Sequence, residues 1–158
     1  MNDQDRQFMT RAIELARAGM ESGDGGPFGC VIVKDGVIIG EGNNRVTSTN
    51  DPTAHAEVVA IRNACSNLAA FQLDGCSIYT SCEPCPMCLG AIYWARPDKV
   101  YFACNRDDAA EAGFDDAFIY GELAMPNEQR QRAMISLLRE EGVALFREWI
   151  AMPDKIEY

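Results

Sequence analysis

His55, Glu57, Cys85 and Cys88 are the residues of this chain whose types and spacing could do chemistry. One imidazole and two thiolates three positions apart form a ligand set for zinc, which takes nitrogen and sulfur donors tetrahedrally. Structural zinc sites close with four protein ligands, whereas catalytic sites use three and leave the fourth position to water. Zinc brings the pKa of that water towards neutrality, and a carboxylate beside it can then move the proton. Glu57 follows His55 by two positions, points off the ligand direction and suits that work. The set implies a metal-assisted hydrolysis.

Blander readings compete at this stage. A lone histidine and glutamate early in a helix commonly form a surface pair, and a Cys-x-x-Cys can be a redox pair or half of a structural knot. Cys82 could complete such a knot with His55, Cys85 and Cys88, giving a zinc-stabilised binding module with no turnover. His55 is the only histidine, and its place two residues before a glutamate favours the catalytic reading.

These residues need elements to carry them. Asp5 to Met20 places Phe8, Ala12, Leu15 and Ala16 at helical spacing, and Gly23 to Pro27 then breaks the pattern. Phe28 to Val33 and Val37 to Ile39 are β-rich runs joined at Asp35-Gly36, a hairpin signal. Asn43 to Pro52 reads as a polar loop. A second helix is expected from about Ala54 to Asn67, with Val58, Val59 and Ile61 on its buried side. Ser77 to Ser81 reads as a strand. Pro84 suits the first turn of a third helix reaching Trp94, and Val100 to Cys104 is a further strand. A helix is expected over Asn127 to Glu141, and a partly helical tail over Phe146 to Tyr158. The order β-β-α-β-α-β predicts an antiparallel pair followed by βαβ crossovers, hence an α/β fold with helices on both faces of a mixed sheet. His55 and Cys85 then fall in the first turns of their helices, where free N–H groups favour thiolates.

The 158 residues suffice for one domain with a substantial core, and 47% hydrophobic with 24% charged residues is ordinary globular composition. No apolar run approaches the roughly 18 residues of a membrane helix. The acidic start, Met1 to Asp5, is unlike a signal-peptide head, so a cytoplasmic protein is expected. Seven cysteines, an odd number, then read as thiols or metal ligands, with Cys30, Cys65, Cys76 and Cys104 packing as small hydrophobes. Fourteen basic residues against 24 acidic ones give a net charge of −10. Nucleic-acid binders release counterions with clustered Lys and Arg, so a nucleic acid is disfavoured as partner and a small neutral molecule fits better.

His-Ala-Glu followed by Pro-Cys-Pro-Met-Cys has the order that marks zinc nucleobase deaminases. Here the chain resembles the cytidine-deaminase-like superfamily, and more closely its branch of small bacterial guanine deaminases. The matching segments are Gly25 to Gly29, Asn50 to Glu57, Thr80 to Cys88 and Ala110 to Asp116, together with the closing Lys155-Ile156-Glu157-Tyr158; Asn127 to Arg147 matches weakly. The resemblance implies a single domain over 1–158, a three-layer α/β/α sandwich with a mixed five-stranded sheet of the cytidine deaminase kind. It also implies one Zn2+ per subunit on His55, Cys85 and Cys88, with Glu57 as proton shuttle. The substrate-binding positions that the resemblance implies are Asn44, Phe28, Ala56, Trp94, Asp116 and Tyr158. By the same resemblance Asn44 is expected to set its amide against the base, Phe28 to pack on the base plane, and Asp116 and Tyr158 to fit the pocket to guanine. The implied assembly is a homodimer in which the segment from about 127 to 158 crosses to the partner. The implied reaction is hydrolysis of guanine to xanthine and ammonia. An RNA adenosine deaminase and a free cytosine or nucleoside deaminase are the enzymatic alternatives.

Overall fold

Asp35 and Gly36 take positive φ values of 50° and 77° and reverse the chain between two strands, β1 (Gly29–Lys34) and β2 (Val37–Asn43). The computed structural model describes residues 2–158, so Met1 of the acidic start lies outside it. Paired left-handed residues twist a two-residue turn the way strands twist, which is why Asp-Gly works here. Two more strands, β3 (Cys76–Cys82) and β4 (Lys99–Cys104), complete a sheet of order β2-β1-β3-β4. β1 is antiparallel to β2 and β3, whereas β3 and β4 run parallel. The sheet is therefore mixed, as expected, but it has four strands among the described residues rather than five. After β4 the sequence turns helix-favouring: Asn105 accepts from the N–H groups of Asp107 and Asp108 and starts a helix instead of a further strand.

Alternation along the central strands sends side chains to two cores. Val31, Val33 and Tyr79 face the first helix, α1 (Asp3–Glu21), through Ala12. Asn2 and Asp5 cap that helix reciprocally, and Asp5 also accepts from the Tyr79 hydroxyl at 2.7 Å, fastening α1 to the sheet. Cys30, Ile32, Cys76 and Ile78 face the opposite way, against α3 (Ala56–Leu68) and α4 (Pro86–Ala95).

The buried side of α3 is Ala56, Ala60 and Ala64 rather than Val58, Val59 and Ile61, which are only half-buried. Backbone proximity explains this. A Cβ on Gly40 would lie 2.6 Å from the Ala60 carbonyl oxygen and 2.7 Å from the Ala64 Cβ, so small residues on both sides let α3 settle directly on β2. Asn63 and Asn67 of α3 then donate to the Glu41 and Ile39 carbonyls, each at 2.8 Å, and cover the strand edge. The polar stretch before α3 contains one short helical turn, α2 (Val46–Thr49). Cys30 and Cys76 are buried, but Cys104 is exposed at the end of edge strand β4, so it does not pack as a small hydrophobe.

The chain divides into two compact units, Met1–Asp116 and Ala117–Tyr158. The first also contains α5 (Arg106–Glu111), and the second α6 (Ala117–Ala124) and α7 (Arg139–Ala151). The helix expected over Asn127 to Glu141 is absent except for its last three residues, which open α7: one 3-10 turn spans Asn127–Gln129 and irregular backbone follows to Leu138. Side-chain hydrogen bonds take this segment over. The Arg130 guanidinium donates to the Glu122 and Met125 carbonyls, while the Glu122 carboxylate accepts from the Gln131 N–H. Among the described residues, no helix is long and apolar enough to cross a membrane.

Candidate active site

β2, β3 and β4 run in one direction, so their carboxyl ends share an edge of the sheet with the start of β1. Such edges are where open α/β sheets usually take ligands. The Gly29 N–H donates to the Ser81 hydroxyl at 3.0 Å there, tying the entry of β1 to the exit of β3. Both motif helices begin at this edge. His55 and Cys85 are N-cap residues, one position before the first turns that the sequence suggested; Pro86, not Pro84, opens α4. Neither makes the side-chain capping bond that helix starts usually use. Their side chains turn towards one another instead.

His55 Nδ1 lies 3.5 Å from the Cys85 sulfur and 3.5 Å from that of Cys88. The three ligand atoms fall within 4.8 Å of one another. A tetrahedral ion bound at about 2.3 Å to sulfur and about 2.0 Å to nitrogen requires an S···N edge of about 3.5 Å, so one nitrogen and two sulfurs here fit zinc in kind and in spacing. Hydrogen bonding from Cys88, the His55 imidazole and the α4 amides hold the Cys85 thiol well below its usual range. The same pairing with Cys85, together with burial, holds Cys88 above it. Cys82 does not belong to the cluster. Its sulfur is directed 3.6 Å from the Asn105 carbonyl, outside the group formed by His55, Cys85 and Cys88, which removes the four-ligand knot.

Glu57 sits in the first turn of α3, and only 6% of it is exposed. Burial raises its carboxyl, while its own backbone N–H, Cys88 and Thr80 act in the opposite direction. The Thr80 hydroxyl donates to Glu57 Oε1 at 3.1 Å. Thr80 was not legible as a partner, because its alternation along β3 gives its face but not which helix residue it meets. Ala56, between His55 and Glu57, is fully buried.

Asn44 is buried at the end of β2, and its Oδ1 accepts from the Gly26 and Val46 N–H groups at 3.3 and 3.2 Å. Those two donors commit the oxygen, so the group Asn44 can bring to a ligand is its NH2 donor rather than both ends of the amide. Phe28 packs edge-to-face on Phe114, with centroids 4.9 Å apart. A Cβ on Gly26 would touch both rings, 3.0 Å from Phe28 and 3.1 Å from Phe114. Phe114 is a second aromatic that sequence reading did not single out, although it lies in the Gly-Phe-Asp-Asp segment. Asp116 is half-buried, and desolvation and the Cys85 thiolate raise its carboxyl, which places it in the field of the cluster. Trp94 is 64% exposed on α4, so it does not belong to a helix core. Tyr158 is exposed in the second unit, 70% accessible.

Residues 2–104, with this ligand set at their centre, match the family model for the cytidine and deoxycytidylate deaminase zinc-binding region. The chain belongs to that family. Within the deaminase family it is 58% identical, over 96% of its length and 97% of the relative's, to a guanine deaminase of Bacillus subtilis (strain 168). An X-ray structure of guanine deaminase from Bacillus subtilis superposes with a TM-score of 0.95 at 57% identity, covering 100% of this chain and 99% of that one. A tRNA-specific adenosine deaminase of Aquifex aeolicus (strain VF5) is 43% identical over 61% of this chain and 63% of the relative.

Proposed function

We infer that this deaminase hydrolyses guanine to xanthine and ammonia. The observation that carries the reading is where the likeness extends. The family model ends at residue 104, and the adenosine deaminase relative matches 61% of the chain. Likeness to the guanine deaminases continues through the second unit to cover 96% of the sequence and 100% of the structure. The net charge of −10 also disfavours a nucleic-acid substrate.

His55, Cys85 and Cys88 would hold the zinc, which when bound supplies a Lewis acid and brings the pKa of water towards neutrality. Glu57 takes the proton of the attacking water, passes it to a ring nitrogen, and protonates the departing amino group. The C2–O bond forms, the C2–N bond breaks, and ammonia leaves. Its burial keeps the carboxyl among fixed dipoles rather than in bulk water, which suits a group that must both accept and donate. The Asn44 NH2 donates to an acceptor on the base, Phe28 packs against its plane, and the Ala56 backbone and Trp94 line the space around it. Asp116 and Tyr158 close the pocket on guanine. The working form is a homodimer in which residues from about 127 to 158 reach the partner's site.

The test is ammonia release and ultraviolet change with guanine, beside adenine, cytosine, their nucleosides and a tRNA. Turnover of guanine alone is expected. Turnover of a tRNA adenosine instead would move the chain to the editing branch, and no ammonia from any substrate would sink the enzymatic reading.

A further inference from the structure

We propose that Thr80 is the positioning residue for Glu57, its hydroxyl holding the carboxylate at the angle from which it moves protons. The inference rests on the reading of Glu57 as the proton-moving group and deepens it.

Thr80 is 1% exposed and lies on a strand paired on both sides, opposite Cys30 of β1 and Phe102 of β4. Its backbone is therefore among the most firmly held in the sheet. The side chain shares a sheet face with Cys76 and Ile78 of β3 and with Cys30 and Ile32 of β1, all of them buried. On so apolar a face the packing-neutral residue is valine, and a buried hydroxyl without a partner is costly. Threonine differs from valine there by one oxygen, and that oxygen is spent on Glu57 Oε1 at 3.1 Å.

Glutamate has the opposite character. Its side chain has three rotatable bonds, and Glu57 stands in the opening turn of a helix, where its own backbone N–H and the Cys88 thiol are further donors near the carboxylate. Those donors move with α3 and α4; Thr80 belongs to the sheet. Bonding to the sheet as well as to the helices fixes the carboxylate relative to the elements that bring His55 and Cys85 together. A misplacement of about 1 Å can cost roughly 100-fold in rate, so such a clamp acts on turnover rather than on binding. At 1% exposure Thr80 offers almost no surface to a substrate.

The experiment measures kcat, KM and zinc content for Thr80→Val, Thr80→Ser and Thr80→Ala, on whichever amino base the wild-type protein deaminates. Thr80→Val should keep one zinc per chain and its KM while kcat falls about 10- to 100-fold. Thr80→Ser, which restores the hydroxyl, should recover most of that loss. If the valine variant does not fold, the serine and alanine pair isolates the same oxygen. An unchanged kcat in Thr80→Val overturns the proposal. So does a serine variant as slow as the alanine one, which would assign the effect to the lost methyl group, or a fall that tracks lost zinc. A wild type active on a base other than guanine would refute the substrate reading and leave this test intact. A wild type inactive on every base would overturn both.

Discussion

Ile32, Ile78 and Leu73 of the first unit are fully buried, while Ile135 and Leu137 of the second are 85% and 83% exposed. The unit that carries His55, Glu57, Cys85 and Cys88 has its own two-sided core. None of the helices of Ala117–Tyr158 has a buried residue. Metal binding and proton transfer demand positions fixed within fractions of an ångström, and only close-packed interiors hold side chains so. The second unit keeps large apolar side chains such as Ile135, Leu137 and Phe146 exposed. The two regions thus differ in packing: one is held by its own core, and the other leaves its apolar side chains exposed.

Removing the proton-moving group should give the largest effect. Glu57→Ala is expected to lower kcat by about 10²- to 10⁴-fold while zinc content and fold persist; a variant with normal turnover would mean the rigid half does not do the chemistry. Deleting Ile156 to Tyr158 comes next, impairing guanine turnover and leaving zinc content unchanged. Mixing that truncated chain with Glu57→Ala should restore activity in part, since some heterodimer sites pair an intact Glu57 with an intact tail. If the mixture stays as inactive as its components, the tail does not work across subunits.

Packing under α3 sharpens the contrast further. Gly42→Val should cost about 1–3 kcal/mol, read as a lowered Tm, because a Cβ there would lie 2.6 Å from the Ala60 nitrogen. Gly121→Ala in the second unit, with open space around its Cβ inside α6, should leave Tm unlowered or raise it slightly, since alanine favours a helix by up to about 1 kcal/mol. Equal losses would erase the distinction between the two regions. The smallest effect concerns Arg11, whose guanidinium bonds both Glu41 oxygens, at 2.7 and 3.0 Å, and holds that carboxyl below its ordinary value. A depressed carboxylate pKa stabilises above the unfolded value and is lost as pH falls through the folded one. The pair is partly exposed, so Arg11→Ala should cost only about 0.5 kcal/mol near neutrality. Denaturant titrations should show the gap between variant and wild type closing below about pH 4.5.

Much of the first unit was readable because local chemistry and tertiary structure agree there. Asp35-Gly36 demanded a hairpin, and the alternation of β1 and β3 and the period of α1 required buried faces. The reading went wrong where side chains act at a distance. Asn127 to Glu141 has a helical composition, yet only its last three residues lie in α7, and upstream of them Arg130 and Glu122 bond backbone groups over irregular chain. Val58 and Val59 are the most apolar side chains of their turn, but the glycines of β2 select alanines for contact.

By itself the sequence determined the ligand types, their spacing and the glutamate two residues past the histidine, since zinc chemistry depends on donor identity. Tertiary structure alone decided that Cys82 stands apart while His55 and Cys88 meet at 3.5 Å. It also decided that the Asn44 oxygen is already committed and that a threonine from the sheet holds Glu57. Those are contacts between residues 18 to 33 positions apart. No local propensity encodes them; they exist only once β1 lies between β2 and β3 and brings the ends of three strands to one edge.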